Sequence, residues 1–345
     1  MTRPRKAAYG LVAATINDVA ARAGVSKRTV SRVMNQQPNI TADTRDRVLE
    51  AMDRLCYRPN PVARRLASGK SHLIGLFHSA CTPPDAALVE QITLEMAHER
   101  YRVLVCSADC RTPRAAEESA LLARAVPIDG AILCAPLSGR PEFGAAFDAQ
   151  RIPCVRLGVA GRHGVSADDR EAARQVTQML ASLGHVRIGF VCGSKESDSA
   201  QQRRLGFLDG MQFARLAVEP ELILQGADTF ECGLDCGRML LRHETCRATA
   251  IITDNDDVAA GVLIAAHELG IPVPDGLSVI GFGDRPIARQ VWPPLSSVRP
   301  PTRALATRAA TLLSGMLSGN GHDVDQSRVL TAEIIMRNST SAPKV

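Results

Sequence analysis

A group of hydrogen-bond donors is concentrated in a short run near the start of the chain. The run KRTVSR at positions 27–32 carries five side chains of this kind: Lys27, Arg28, Thr29, Ser31 and Arg32. Arginine and lysine can donate to guanine O6 and N7, and hydroxyl groups suit phosphates or bases. The residue types therefore favour contact with nucleic acid. The simpler alternative is a small surface helix whose charges are only solvated.

Three short helices over residues 15–59 are predicted to hold these donors in place. Thr15 can cap the first helix, and Asp18 follows three residues later as the acid of a capping box. Gly24 ends this helix with a tight turn, and Ser26 caps the second helix, which runs to about Asn35. The donors therefore lie at the start of the second helix.

The third predicted helix completes a helix-turn-helix fold. It begins at Thr41 or Asp43, and its buried stripe at helical spacing is Val48, Met52 and Leu55. A helix-turn-helix presents the first residues of its second helix to base edges in the major groove. We therefore predict an all-α, DNA-binding head whose contacts include Thr15, Lys27, Arg28, Thr29, Ser31, Arg32 and Asn35.

Charge is distributed unevenly between this head and the rest of the chain. Residues 1–71 hold fourteen Lys and Arg against five Asp and Glu, which gives a net charge of +9. The whole chain carries +5, so the remaining residues carry −4. A basic head on an acidic body is expected of a protein that binds a polyanion, and nucleic acid is the simplest polyanion.

The sequence also indicates a cytoplasmic protein without a membrane segment. No apolar run approaches the roughly 20 residues that span a bilayer. The basic N-terminus contains too short an apolar stretch for a secretory signal. Four of the ten cysteines, Cys106, Cys134, Cys154 and Cys192, lie in apolar, strand-like runs, where free cysteine packs as a small hydrophobe. The pairs Cys106/Cys110 and Cys232/Cys236 are spaced for two ligands on one face of a helix, but no further Cys or His stands at zinc-finger spacing. We therefore expect reduced thiols and no metal, and we expect no cofactor.

From Leu73 onward, apolar strands alternate with amphipathic helices. Strands are predicted at residues 73–77, 103–106, 131–135, 154–158, 187–191, 222–225, 250–253 and 278–282. Helices are predicted near residues 85–100, 113–125, 169–183, 200–215, 231–242, 256–269 and 302–318. Continuous apolar strands separated by helices predict an α/β body of two doubly wound, parallel-sheet lobes, with a seam near residues 158–164.

Between head and body the chain changes character over a short segment. Tyr57-Arg58-Pro59 stops the third helix, and Asn60-Pro61 can start another. Residues 62–68 are too few and too charged to form a stable helix alone. These features predict four parts: a basic arm at 1–14, a helix-turn-helix domain at 15–59, a hinge at 60–71 and a two-lobed body at 72–340.

Several motifs, in order along the chain, are similar to those of one protein family. They are AARAGVSKRTVSRVMN and TRDRVLEAMDRLCYRPNPVARRLASGKSHLIGL near the N-terminus, then GHVRIGFVCG, RRLGFLDGM, TDNDDVAAGVLIAAHELGIPVPDGLSVIGF and PPLSSVRP. Over essentially its whole length the sequence resembles the LacI/GalR family of bacterial repressors. The collinear series is much more specific than any single motif in it, and it implies a periplasmic-binding-protein-like body.

The resemblance implies a function for the hinge that composition alone does not. In that family the segment is a helix that orders on operator binding and enters the minor groove. Leu66 aligns with the apolar wedge pushed between central base pairs, with Asn60, Ala63 and Arg64 as further DNA contacts. The alternative is that Leu66 packs on the body. A partner hinge implies a homodimer, or a tetramer, on a near-palindromic operator.

An effector cleft is expected between the two lobes. Parallel-sheet lobes place a ligand outside the carboxyl ends of their strands. The resemblance aligns Arg203 with the family's effector-binding arginine, Asn255 with its cleft asparagine, and Asp169 or its neighbour Asp168 with a cleft acid. We predict an effector site made of His78, Ser79, Asp169, Lys195, Arg203, Asp228, Asn255 and Asp284.

Two departures from the family pattern bear on the ligand. Relatives that bind neutral sugars usually have an aspartate directly after the Gly-aromatic pair, where this chain has Gly283 and the acid follows at Asp284. Asp228 stands where the family often has an aromatic platform. With Lys195 and Arg285 nearby in sequence, we favour a sugar acid, such as gluconate or a ketogluconate, over a neutral sugar, purine or nucleoside. Both cations could instead be solvated loop residues.

Two other classes of protein share parts of this pattern. A periplasmic sugar-binding protein would have the two-lobed body, but it would lack the basic head and would need a secretion signal. An enzyme is disfavoured because the chain has no G-x-G-x-x-G after a strand and no P-loop, G-x-S-x-G or H-E-x-x-H motif. We expect a DNA-binding transcriptional regulator, a repressor controlled by a small effector, and the sequence leaves induction and corepression open.

Overall fold

The computed structural model divides the chain into two compact units, residues 1–71 and residues 72–345. It describes residues 14–34, 38, 40–57, 70–80, 84–109, 112–195, 197–242, 247–319 and 330–344. Most of the predicted basic arm lies outside the described residues. So do five predicted DNA contacts: Asn35, Asn60, Ala63, Arg64 and Leu66.

Helices make up the described part of the first unit, and their bounds are α1 (Ile16–Ala23), α2 (Lys27–Met34) and α3 (Ala42–Arg54). Gly24 ends α1 with a φ of 65°, a left-handed conformation that glycine adopts without strain. The turn brings Val19, Val30 and Val48, one from each helix, into a common core. The predicted helix-turn-helix and third helix are therefore present.

The second unit contains two sheets, and the first has the strand order β2-β1-β3-β4-β5 with all neighbours parallel. Its strands are β1 (Leu73–Ser79), β2 (Arg102–Ala108), β3 (Gly130–Leu133), β4 (Cys154–Leu157) and β5 (Gly164–Val165). Its helices are α4 (Ala86–His98), α5 (Ala115–Ala125) and α6 (Pro141–Ala149), with a 3-10 turn at Leu137–Gly139. Apolar side chains of α4 pack on one face, and those of α5 and α6 pack on the other.

The second sheet has the order β11-β10-β9-β8-β6-β7, and of its described strands β11 alone is antiparallel to its neighbour. Its strands are β6 (Ile188–Cys192), β7 (Ile223–Gln225), β8 (Ala250–Thr253), β9 (Ser278–Phe282), β10 (Ser296–Arg299) and β11 (Glu333–Ile335). Helices α7 (Asp169–Ser182) and α8 (Asp198–Phe213) cover one face. Helices α9 (Phe230–Leu241) and α10 (Asp256–Glu268) cover the other, beside α11 (Ile287–Gln290) and a 3-10 turn at Pro220–Leu222.

Helix α12 (Thr302–Ser318) follows the second sheet in sequence but packs on the first. Its residues Ala306, Ala309 and Leu313 are buried with Ile92 and Met96 of α4. The chain therefore passes between the lobes after β5, again after β10 and again after α12. The predicted seam at residues 158–164 lies just before the first passage, and the other two were not predicted.

All eight predicted strands of the body are present, whereas β5, β10, β11, α6 and the short α11 were not predicted. Strand β10 illustrates the reason, because its sequence SSVR is too polar to predict a buried strand. Ser296 and Ser297 are nevertheless fully buried. The Ser297 hydroxyl donates to Asp256 Oδ1 at 2.5 Å, and Ser296 Oγ accepts from the Arg337 amide at 2.9 Å. Hydrogen-bonded hydroxyls can be buried at little cost, and their partners lie far away in sequence.

Within the part of the chain that the structure describes, no helix is both long enough and apolar enough to cross a membrane.

Helices α7 and α8 approach each other closely at glycine. A Cβ atom on Gly206 would lie 2.0 Å from the carbonyl oxygen of Arg170, and one on Gly210 would lie 2.5 Å from Cβ of Thr177. Side chains at these positions would force the helices apart. The close contact matters for the site below, because α7 carries Asp169 and α8 carries Arg203.

The substitution Gly206→Ala is expected to destabilise the second unit by about 1–3 kcal/mol, because α7 must move to admit the methyl group. Gly144→Ala on α6 is the matched control, since the nearest atom to its added Cβ would be Cδ of Arg156 at 3.9 Å. Alanine should there be neutral or stabilising by up to about 1 kcal/mol. Equilibrium denaturant unfolding compares the two variants, and equal free energies of unfolding would contradict the helix contact.

Candidate nucleic-acid interface and effector site

The predicted DNA-reading residues lie on and around the start of α2. Lys27 and Arg28 are exposed. The Ser26 hydroxyl caps the helix by accepting from the Thr29 amide at 3.1 Å, and it also contacts the Thr29 hydroxyl at 2.9 Å. Arg32 donates to the carbonyl oxygen of Pro38 at 3.3 Å. Lys27 and Arg28 are therefore the long cationic side chains that the fold leaves extended from the first turn of α2.

Two other predicted contacts have more local surroundings. Thr15 precedes α1, and both its amide and its hydroxyl donate to Asp18 Oδ2 at 2.7 Å. These two hydrogen bonds hold the pKa of Asp18 below its usual range. Ser31 is half-buried on α2. The capping prediction for Thr15 therefore has a geometric basis, whereas its contact with DNA stays a prediction.

Each sheet of the body has a topological switch point, where successive strands are added on opposite sides of the first strand. In the first sheet β1 lies between β2 and β3, and in the second sheet β6 lies between β7 and β8. Loops at the carboxyl ends of such strands diverge to opposite faces and leave a crevice in which ligands bind. Ser79 ends β1, Gly193 follows β6, and Asp254 follows β8. The topology therefore brings several predicted residues to the crevice edges.

Arg203 of α8 is the centre of the charged groups at the second crevice. Its Nε donates to Asp169 Oδ1 at 2.9 Å, and its Nη1 donates to the carbonyl oxygen of Asp254 at 2.7 Å. Nη2 lies 2.9 Å from Asp169 Oδ1, and Nη1 lies 3.4 Å from Asp254 Oδ2. The guanidinium also lies 4.8 Å from the centroid of the Phe282 ring, a cation–π contact.

Asp228 and Asp254 converge on Gly193. A Cβ atom added to Gly193 would lie 2.4 Å from Asp228 Oδ1 and 2.3 Å from Asp254 Oδ2, so glycine is required there. Burial is the largest influence on Asp254 and raises its pKa to about 6, against the opposing effect of Arg203. Burial likewise raises the pKa of Asp228. We name Arg203, Asp169, Asp228 and Asp254 the Arg203 cluster.

One member of the cluster, Asp169, borders open space between the lobes. A cavity of about 370 Å³ lies at the seam, a volume within the range of small-molecule sites. Its lining includes Gly158 and Val165 of the first lobe, Asp169 and Ser199 of the second, and Arg308 of α12. Asp169 therefore links Arg203 to a space that a small ligand could enter.

Other predicted effector residues have different surroundings. Asn255 caps α10, because its Oδ1 accepts from the Val258 amide at 2.8 Å. His78 Nδ1 lies 2.9 Å from the carbonyl oxygen of Ser79 at the end of β1. Lys195 borders a separate cavity of about 540 Å³, which is also lined by Arg204. Asn255, His78 and Ser79 thus lie at crevice edges, and Lys195 does not join the Arg203 cluster.

Asp284 and Arg285 are held by ion pairs outside the cluster. The Asp284 carboxylate pairs with Arg299 at 2.7 Å and with Arg337 at 2.5 Å. Burial raises the pKa of Asp284, but these two arginines outweigh it and hold the pKa below its usual range. The Arg285 guanidinium pairs with Asp257. Arg285, one of the two cations on which the sugar-acid hypothesis depended, is therefore neutralised by Asp257.

Two members of the arginine's surroundings were missed in the sequence. Asp254 directly follows the apolar strand AIIT, and an acid at the carboxyl end of a buried parallel strand is a recognisable pattern. Phe282 ends β9 and looked like an ordinary core residue. No local pattern could have revealed it, since its contact with Arg203 spans two elements.

Comparisons with known proteins agree along the whole chain. The family model described as "Bacterial regulatory proteins, lacI family" matches residues 15–60, and the "Periplasmic binding protein-like domain" matches residues 177–340. The HTH-type transcriptional regulator AscG of Escherichia coli (strain K12) is 30% identical over 335 residues, 95% of this chain and 99% of AscG. The chain belongs to the lacI family of bacterial regulatory proteins.

Further relatives support this membership. The HTH-type transcriptional repressor PurR of Haemophilus influenzae (strain PittEE) is 29% identical over 95% of this chain and 99% of its own. A lac repressor dimer bound to operator and the anti-inducer ONPF has a TM-score of 0.80 and 27% identity, over 95% of this chain and 99% of that one. The predicted fold class is confirmed, and this lacI-family member is a DNA-binding transcriptional regulator. The periplasmic-protein alternative is wrong, because it has no place for the matched head.

Removing the central arginine is expected to destabilise the body strongly. Arg203→Met keeps the apolar stem but leaves the Asp169 and Asp254 carboxylates unpaired, at a cost of about 3–5 kcal/mol at pH 7.5. Arg238→Met is the matched control, because Arg238 pairs with Glu268 at the surface and such pairs contribute about 0–1 kcal/mol.

The cost should depend on pH in a defined direction. The folded-state pKa of Asp254 is raised to about 6 from an ordinary 3.8, so its carboxyl favours folding below pH 3.8 and loses that contribution as pH rises through 6. Without Arg203 the pKa rises further, so Arg203→Met should be less damaging at pH 5 than at pH 7.5. Denaturant unfolding at both pH values checks this, and a cost that is larger at pH 5 would contradict it.

Proposed function

We propose that this lacI-family regulator is a cytoplasmic repressor that binds a near-palindromic operator as a homodimer. A small effector either releases the operator or strengthens its binding. The proposal assigns base reading to the start of α2 and effector binding to the Arg203 cluster. The observation that carries it is the multiply bonded Arg203, whose side chain is 19% exposed, beside the crevice of the second sheet. Its hydrogen bonds connect α7, α8 and the loop after β8, and a ligand bound there could change how these elements are arranged.

On the DNA side, exposure and position support Lys27 and Arg28 as the base-reading pair. Both project from the first turn of α2, the part of a helix-turn-helix that reaches base edges. Thr29, Ser31, Arg32 and Thr15 are proposed to contact phosphates or to hold the helices. The proposal also keeps Asn35 and the hinge residues Asn60, Ala63, Arg64 and Leu66, which lie outside the described residues.

On the effector side, a sugar-type ligand fits hydrogen-bonding groups such as those of Asp169, Arg203 and Asn255. The sugar-acid hypothesis, with gluconate as its example, depended partly on Lys195 and Arg285. Arg285 pairs with Asp257, and Lys195 borders another cavity, which weakens the charge argument for an anion. A neutral sugar, a purine and a nucleoside stay as alternatives. His78 and Ser79 would supply first-lobe contacts.

The proposed control is a coupling between the effector site and the DNA-binding head. A ligand between the lobes changes the orientation of one lobe relative to the other. The three chain crossings after β5, β10 and α12 connect the two lobes and transmit this change. Couplings of this kind typically change affinity by factors of about 5–150, which correspond to 1–3 kcal/mol. The choice between induction and corepression depends on which arrangement of the lobes the ligand prefers.

Selection from random DNA duplexes with the full-length protein tests the DNA half of the proposal. A near-palindromic sequence should be enriched, with two half-sites about one or two helical turns apart. A single unpaired half-site would contradict the dimer. The selected operator then serves for a screen of sugars, sugar acids and nucleosides that change operator binding.

The substitution Arg28→Ala should weaken operator binding by about 1–3 kcal/mol and relax base preference at one position of each half-site. Arg54→Ala on α3 is the control, since Arg54 pairs with Glu50 on the same helix. Fluorescence anisotropy on the selected operator and its single-base variants measures both effects. Unchanged base preference in Arg28→Ala would remove Arg28 from the readout.

Asp169→Asn should weaken effector binding by about 1.5–3 kcal/mol, since a charged hydrogen bond to Arg203 and the ligand is lost, while operator binding persists. Asp209→Asn is the matched control, because Asp209 also joins α8 to α7 through an ion pair with Arg170, but at the surface. Thermal shift with the effector found in the screen compares the variants. Equal losses in both would move the effector site elsewhere.

A further inference from the structure

The Arg203 cluster contains more negative than positive charge. Asp169, Asp228 and Asp254 all act electrostatically on Arg203, which is the one cation among the cluster's described residues. Three carboxylates against one guanidinium leave a formal charge of −2. Asp254 is 4% exposed, so water screens this excess poorly.

The donors of Arg203 are already used within the protein. Nε and Nη2 both contact Asp169, and Nη1 contacts the carbonyl oxygen and carboxylate of Asp254. A ligand carboxylate at Arg203 would have to compete with these acids for the guanidinium. The arginine therefore serves the protein's own carboxylates and is poorly suited to an anionic ligand.

Two carboxylate oxygens in the cluster lack hydrogen bonds. Asp228 Oδ1 and Asp254 Oδ1 are buried, and neither has a hydrogen-bond partner among the described residues. Both side chains approach Gly193, and the charge of Asp228 is among the influences that raise the pKa of Asp254. Buried acceptors of this kind are costly unless a donor or a cation joins them.

Neighbouring cations do not cancel the excess. Arg285 pairs with Asp257, which adds no net positive charge near the crevice. Lys195 and Arg204 border the 540 Å³ cavity, which is also lined by Gly193, Gln201 and Gln225. Arg170 and Arg308 line the 370 Å³ cavity, where Arg170 pairs with Asp209, but Arg203 is the cation that lowers the pKa of both Asp228 and Asp254. A second positive charge beside these two acids would therefore have to come from the ligand.

We propose that the effector carries a protonated amine, which it places beside Asp228 and Asp254, and hydroxyl groups that bond to the rest of the cluster. This inference rests on the proposed function, because it assumes that the effector binds at Arg203, and it specifies the ligand's charge. An amino sugar is the simplest chemical class that has both features. Asp228 is the residue that selects the amine, and Asp169 and Arg203 position it.

Matched sugars provide the test. Isothermal titration of the full-length protein compares a hexose, its 2-amino-2-deoxy derivative and its aldonic acid, in the gluco, galacto and manno series at millimolar concentration. In at least one series the amino sugar should bind about tenfold more tightly than the neutral hexose, and the aldonic acid should bind most weakly. An aldonic acid that binds most tightly, or no binding by any of the nine compounds, overturns the inference.

A variant without the Asp228 charge distinguishes recognition of the amine from a purely structural role of this residue. Asp228→Asn should reduce affinity for the amino sugar about tenfold and leave the hexose within about twofold. Glu231→Gln, an exposed acid three positions away at the start of α9, should change neither affinity. If Asp228→Asn does not fold, Asp228→Ser repeats the measurement. Equal losses for amino sugar and hexose would make Asp228 structural and overturn the inference.

Selection of an operator from random DNA by the same protein preparation distinguishes failure of the ligand-charge inference from failure of the proposed function. A protein that selects an operator but prefers an aldonic acid overturns the charge inference alone. A protein that selects no operator overturns the proposed function, whatever sugar it binds.

Discussion

A largely buried arginine needs partners for its donors, and this constraint on Arg203, whose side chain is 19% exposed, organises the second lobe. Meeting it requires Asp169 at the start of α7, Asp254 after β8 and Phe282 at the end of β9 to reach one guanidinium. The close contact of α7 and α8 at Gly206 makes that convergence possible. Burying a charge is expensive unless the pairing is complete, so these elements cannot shift independently.

The same constraint connects the fold to the proposed regulation. Arg203 lies beside the crevice where β6 and β8 diverge, and Asp169 borders the cavity between the lobes. Pairing the arginine with buried carboxylates stabilises the lobe but leaves an excess of negative charge. A ligand that neutralises the excess would therefore act on the elements that the arginine holds together. Stability and ligand preference thus have one electrostatic origin.

Periodicity in the sequence was enough to predict most of the elements. The helix-turn-helix follows from neighbouring residues, namely the Thr15 and Ser26 caps and the left-handed turn at Gly24. The apolar strands of both sheets were equally clear. Strand β10 was missed because its buried serines bond to residues about 40 positions away, such as Asp256. Helix α12 was predicted, but its return to the first lobe was not, since an amphipathic pattern does not name the surface it packs against.

The sequence by itself determined the family and the two-lobed architecture, and it singled out Arg203 as a candidate effector-binding residue. Those conclusions depend on local patterns and on the order of motifs. Only the tertiary structure decided which charges meet. It joined Asp254 to Arg203 across 51 positions, paired Arg285 with Asp257, and held Asp284 between Arg299 and Arg337. Ion pairs depend on distances of a few ångströms between elements, and no spacing along the chain specifies those distances.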